Sequence, residues 1–351
     1  MAINLATKYE TKLDERYKLQ SLTDKFCGHN YSWEGVNAIK VWSLETADLN
    51  DYDASAAANR FGTPSEVDDE VNTYALQRKR SFTKTFDTTN VQDQMFIKKA
   101  NAYLKQMWDE RYVPEIDKYR LGVWAAGAGL GAVGSALKKD TIVEAVLNAH
   151  AAMDDALVPQ EGRVTFMRTD VVVQTKLATE LGYNQNWTDK TIIKGKVAEI
   201  NGSPVISVPR SLMPEGVLFM IKHKNSSADP MKLRMLRVHE DAPGIAGSLM
   251  EGLCRYDAFV MAYKADGIFV YGDSAAVLAA PTFSKSGNTV TISGTGNIKY
   301  TVDGSNPKVS ETAQTGKSIT ITKDTKIRAY AEQAGKMSSA IASYDATYTA
   351  G

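Results

Sequence analysis

Residues suited to chemistry are few and scattered along this chain of 351 residues. Gly129-x-Gly131-x-x-Gly134 has the glycine spacing of a dinucleotide-binding turn. That turn needs a strand before the glycines and a helix after them, because the phosphates sit on the helix N-terminus. Tyr119 to Ala126 read as helix instead, so the glycines read as a flexible hinge between two lobes. His29, His150, His223 and His239 form no H-x-x-x-H or H-E-x-x-H pair, and only long-range convergence could make them a metal site or a catalytic dyad. Asp48-x-x-Asp51-x-Asp53 lacks the glycine and closing glutamate of a calcium loop and reads as solvated acid. Cys27 and Cys254 have no metal spacing and read as reduced thiols of an intracellular protein. Neither a G-x-S-x-G elbow nor a G-x-x-x-x-G-K-[ST] loop occurs. The expectation is a protein that is not an enzyme, with no catalytic, cofactor-binding or metal residue.

The remaining polar signals concern contact. Arg78-Lys79-Arg80 follows a stretch rich in acid that ends in Asp68-Asp69-Glu70. Base at one end of a segment and acid at the other suit contact between neighbouring copies. A charged strand edge that discourages wrong pairing explains the same pattern. Trp42, Asp68, Asp69, Glu70, Arg78, Lys79 and Arg80 are therefore the candidate contact residues between subunits. Lys and Arg together number 41, as do Asp and Glu, so tight coating of nucleic acid is disfavoured. Residues 1–30 contain no apolar block, and no later run is long enough to span a bilayer. Synthesis in a cytosol and no membrane partner are expected.

The elements that must position these residues fall in a clear order. Residues 1–36 read as an arm. Residues 37–86 read as a long two-stranded excursion, with Ile39 to Leu44 on one strand and Tyr74, Leu76, Phe82 and Phe86 at even spacing on the other. Its intervening loop is too long for a compact connection. Residues 88–113 carry Phe96, Ala100, Tyr103, Leu104, Met107 and Trp108 at helical spacing, and Pro114 ends this helix or opens a short second one. Residues 137–225 alternate helices and strands, with a hairpin at Asn201-Gly202. Residues 233–272 are rich in strands that return to the long helix. From Pro281 onward Trp, Leu, Cys and His vanish and short strands recur, as in a small antiparallel sandwich. Gly272 to Ala280 reads as a linker that lets this unit stand off.

That order resembles the HK-ninety-seven-type capsid fold, an α+β fold with N-arm, extended loop, peripheral domain and axial domain. Phe61-Gly62-Thr63-Pro64, Lys98 to Leu104, Val113 to Arg120 and Gly252 to Val260 look like stretches of major capsid proteins of tailed phages. The resemblance implies an N-arm at 1–36, an extended loop at 37–86, and peripheral and axial domains over 87–275, the axial part at roughly 130–230. Tyr300 to Pro307 followed by Lys326 to Ala331 looks like the immunoglobulin-like domains appended to chitobiase-type enzymes, which implies an all-β surface domain over 276–351. The implied function is a structural shell protein forming hexamers and pentamers of an icosahedral phage head around double-stranded DNA. Its implied partners are other copies of itself, a portal, a separate scaffolding protein, DNA through weak non-specific contact, and glycans at the C-terminal domain. An encapsulin-like compartment, a carbohydrate-binding surface protein and a nucleotide-binding enzyme stay open as alternatives.

Overall fold

The computed structural model describes residues 21–29, 31–34, 38–44, 51–52, 54–55, 59–61, 69–87, 100–178, 199–239, 244, 247–308, 310, 312–333 and 336–349. Residues 88–99, the first half of the expected long helix, lie outside them.

Helix α1 (Ala100–Met107) passes through one π turn, Trp108–Tyr112, into helix α2 (Val113–Gly127). Pro114 stands in the first turn of α2 and so opens a second helix, one of the two expected outcomes, although the π turn joins the two helices without a gap. Proline lacks the N–H of a helical ladder, and here it follows a wider turn in which the Val113 N–H reaches back to the Trp108 carbonyl.

A six-stranded sheet in the order β5-β14-β9-β6-β8-β7 forms the centre. Its strands are β5 (Leu130–Gly134), β6 (Arg163–Arg168), β7 (Glu199–Ile200), β8 (Ser203–Val208), β9 (Val217–His223) and β14 (Ile268–Asp273). Strand β9 is buried over Val217–Lys222, the continuous apolar run of a strand covered on both faces. On one face Phe219 and Ile221 pack with Ile142, Val146 and Met153 of helix α3 (Ile142–Asp155) and Val171 of helix α4 (Thr169–Leu177). On the other, Val164, Phe166 and Met220 pack with Leu121 and Trp124 of α2. Asn201 (φ 50°) and Gly202 (φ 73°) both take the left-handed conformation that a two-residue hairpin requires.

The expected two-stranded excursion is divided between two sheets. One holds β1 (Ser32–Glu34), β2 (Ala38–Leu44) and β3 (Asp69–Ala75). The chain then crosses at Leu76, which is buried beside Ile39, Ala228 and Met261, and the Gln77 N–H donates to Asp257 Oδ2 at 2.8 Å. Strand β4 (Arg78–Asp87) joins β11 (Met231–His239) and β12 (Gly247–Tyr256) in the order β11-β12-β4. Even spacing of aromatic residues ran through both strands, so periodicity alone hid the crossing. Tyr256 and Cys254 of β12 pack on Tyr112 and Ile116, so the returning strands do lie on the helix.

A buried polar node ties the N-terminal segment to this body. Asp229 accepts from Trp124 Nε1 at 2.8 Å, Ser227 Oγ at 2.5 Å and the Gly28 N–H at 3.3 Å. Asp117 accepts from Ser21 Oγ, the Leu22 N–H and Thr23 Oγ1 at 2.6–2.9 Å. Lys222 Nζ donates to the Phe26 carbonyl at 2.9 Å and lies 4.4 Å from the Trp124 ring centre. Burial pushes the Lys222 ammonium down to about 8, opposed by the charge of Asp229.

Residues 282–346 form two packed sheets, β15-β16-β19 and β18-β17-β20-β21. These strands are β15 (Thr282–Ser286), β16 (Thr289–Ser293), β17 (Asn297–Thr301), β18 (Gln314–Thr315), β19 (Ser318–Thr320), β20 (Thr325–Glu332) and β21 (Ala342–Ala346). Val290, Ile292, Ile298, Tyr300, Ile319, Ile321 and Ile327 make its own core. Tyr330, on β20, belongs to the cluster around Trp124. The expected stand-off is also absent. Val277 and Leu278 are buried, and the Leu278 N–H bonds to the Met337 carbonyl at 3.1 Å.

Removing a carboxylate that holds three donors leaves them unpaired and Lys222 without its nearest counter-charge. Asp229→Ala is therefore expected to lower unfolding stability by about 3–5 kcal/mol in a denaturant titration. The same variant is expected to expose residues 21–29 to limited proteolysis. Unchanged stability would remove the node from the account.

Candidate assembly surface

The sequence-selected contact residues fall on two separate sheets. Trp42 stands opposite Val71, and Ser43 and Leu44 stand opposite Glu70 and Asp69, on β2 and β3. Asp68 lies outside the described residues. Arg78, Lys79 and Arg80 open β4, paired with Tyr256, Arg255 and Cys254 of β12. Asp69 and Glu70 thus lie on one sheet and Arg78, Lys79 and Arg80 on another.

The triplet itself is divided by strand alternation, since successive side chains point to opposite faces. Arg78 and Arg80 share the face toward α2. The Arg78 guanidinium lies 4.3 Å from the Tyr119 ring centre. Arg80 Nε donates to Glu115 Oε1 at 2.5 Å, and this hydrogen bond raises the guanidinium pKa. The Tyr256 hydroxyl donates to the same Glu115 oxygen at 3.0 Å, and the Tyr119 hydroxyl donates to Asp257 at 2.6 Å. Burial pushes the Tyr119 phenol up to about 12. Lys79 is exposed, on the opposite face. Arg78, Arg80, Pro114, Glu115, Lys118, Tyr119, Val123 and Leu212 line an open groove of about 700 Å³ along α2. Two sequence signals missed here are Lys118 and Tyr119, which helical spacing sets on the same side of α2 as Glu115.

Exposed aromatic residues mark the connection between β2 and β3. Phe61 is 85% exposed and Tyr52 56% exposed, with ring centres 5.0 Å apart. An aromatic pair in water, flanked by Asp51, leaves apolar area that a partner could cover.

The glycine cluster has a packing explanation. Helix α2 precedes it and β5 contains Gly131 and Gly134, the reverse of a phosphate-binding turn. A Cβ on Gly129 would lie 2.2 Å from Asp266 Oδ1, and one on Gly134 would lie 2.1 Å from the Tyr271 hydroxyl. Both glycines allow close approach of packed chain. Among the described residues, no group of three or more His, Cys, Asp or Glu is placed to hold a metal ion. Among them also, no helix is long and apolar enough to cross a membrane.

Solved structures from several phages share the fold of this body. The chain is similar to a structure of Mycobacterium phage Che8 (15% identity, TM-score 0.61), which it covers over 98% of that chain using 77% of its own. It is similar to the capsid structure of the cyanophage P-SCSP1u (11% identity, TM-score 0.62), with 76% of this chain and 92% of that one covered. It is also similar to a chain in the asymmetric unit of the bacteriophage PhiM1 mature capsid (9% identity, TM-score 0.57), with 77% and 92% covered. The fold is the HK-ninety-seven-type capsid fold. Residues 278–343 match the chitobiase/beta-hexosaminidase C-terminal domain family, and the two packed sheets there are an immunoglobulin-like sandwich. No curated protein matches the chain.

Cys27 and Cys254 are buried, and burial pushes the Cys27 thiol up to about 12. Neither thiol is expected to react with a disulfide reagent in the folded protein at about pH 8, and both should react after denaturation. A fast native thiol would contradict the packing at one of the two positions.

Proposed function

We propose that the chain is the major capsid protein of a tailed bacteriophage, a structural subunit that assembles as hexamers and pentamers into an icosahedral head around double-stranded DNA. The observation that carries this reading is the likeness of the body to phage capsid structures over 92–98% of their length. The sheet of β1, β2 and β3 adds to it, since its connection exposes the paired rings of Tyr52 and Phe61. Zero net charge fits a shell filled by a motor, where strong phosphate binding by the wall is not needed.

In this reading the chain acts as a building block without catalysis, and assembly takes place in the host cytoplasm. A portal and a separate scaffolding protein are its assembly partners. Trp42, Asp68, Asp69, Glu70 and Lys79 make contacts with neighbouring copies. Arg78 and Arg80 serve mainly to seat β4 on α2, with the groove beside them open to a neighbour. The immunoglobulin-like domain faces outward, where glycans are its ligand class by likeness to the domain family.

Deletion of Leu49 to Glu70 tests the reading. Soluble, folded subunits or capsomers that form no shells are expected, judged by sedimentation and negative-stain microscopy. Normal shells from the deleted chain would exclude a contact role for this connection. Particles that contain no DNA when recovered from infected or lysogenic cells would favour an encapsulin-like compartment instead. Reversal of Lys79 to Glu is expected to impair assembly more than it lowers the melting temperature of the free subunit. Equal losses would assign Lys79 to folding alone.

A further inference from the structure

The C-terminal unit carries a complete core of its own, yet it makes a second set of contacts that its own folding does not need. They fall on one place, the junction where α2 ends at Gly127 and β5 begins at Leu130. Lys308 Nζ donates to the Ala126 carbonyl at 2.9 Å and the Ala128 carbonyl at 2.7 Å. Ser338 Oγ donates to the Ala126 carbonyl at 3.2 Å, and the Ile341 N–H donates to the Gly129 carbonyl at 2.8 Å. The final carbonyls of a helix have no partner inside it. Here the distant unit supplies those donors, so the end of α2 is capped from outside its own stretch of chain.

Three further observations point to the same junction. Arg328 Nη2 donates to both oxygens of Asp266 at 3.0 Å each, and Asp266 is the residue that leaves no room for a side chain on Gly129. Tyr330 and Ile341 are buried in the cluster that holds Trp124, Ala125 and Ala128. The space left along the seam is only about 20 Å³, roughly one water. Gly129 and Gly131, the residues with the least intrinsic stiffness in this stretch, are thus enclosed on one side by Ala265 and Val270 and approached on the other by Ile341 and Ala340.

We propose that the C-terminal domain is a brace that fixes the angle between helix α2 and the six-stranded sheet by closing over their junction at residues 126–131. The domain is a part of the subunit's frame, whatever else its outer surface binds. The inference concerns the single chain and does not depend on the shell reading. A body that fails to form shells could still be braced, and a shell could form from an unbraced body.

Hydrogen exchange measured by mass spectrometry on the full chain tests it. The variant Lys308→Met combined with Arg328→Ala removes the cap and the bidentate pair from the domain side. Residues 126–134 and 262–267 are expected to exchange about tenfold faster or more, while residues 289–301 keep their protection. Cleavage of the chain between 272 and 280 by a protease would report release of the domain. Release with unchanged protection at 126–134 would overturn the proposal. Should the variant unfold the domain itself, Asp266→Ala breaks the pair from the body side and leaves the domain's sequence intact. Faster exchange at 126–134 in that variant, with 289–301 still protected, supports the brace. Loss of docking without faster exchange overturns it.

Discussion

Trp124 is where the fold converges. Its ring is fully buried between the central sheet and the N-terminal segment, its Nε1 is held by Asp229, and Lys222 lies across its face. A large indole buried this deeply must find an acceptor for its N–H, and an ionised acceptor at such depth must in turn be surrounded by donors. Ser227, Gly28 and Trp124 supply them. The requirement joins four distant stretches of chain: the segment at 21–29, helix α2, strand β9, and the short strand Ser227–Ala228 with Asp229. Fixing α2 in this way also fixes the groove on its outer side and the end that the C-terminal domain caps.

The body and the C-terminal domain use different means to the same end. In the body, helices cover both faces of a mixed sheet, and the buried carboxylates Asp117 and Asp229 are hydrogen-bonded. The C-terminal domain relies on alternating Ile, Val and Tyr between two thin sheets. What unites them is an interface with both apolar and charged components, too closely packed for a domain that merely hangs on a linker. The sheet at 32–75 is covered on one side only in part, with Ile39 buried beside Ala228 and Met261, while Tyr52 and Phe61 of its connection are exposed.

Much of the architecture was legible in the sequence because local rules pointed one way. Asn201-Gly202 dictated its hairpin, and the loss of Trp, Leu, Cys and His from Pro281 onward marked a second unit. Pro114 as the opening of a second helix was one of two readings, and α2 does start there, joined to α1 by a π turn. Two features were not legible. Even aromatic spacing from Tyr74 to Phe86 concealed a crossing between two sheets, which depends on Leu76 finding a pocket far away in sequence. Gly272 to Ala280 has a linker's small residues, and nothing local reveals that Val277 and Leu278 are buried against Met337. For the candidate surface, the charges were visible but their division by strand alternation was not, because Glu115 and Tyr119 come from another element.

Electron microscopy of particles formed by the purified full chain, with concentration and ionic strength varied, tests the central claim most directly. The account predicts closed shells of uniform diameter with six-fold and five-fold clusters, each subunit carrying its C-terminal domain seated on the α2–β5 junction. A folded chain that stays monomeric or forms only small fixed oligomers under all of these conditions would contradict it.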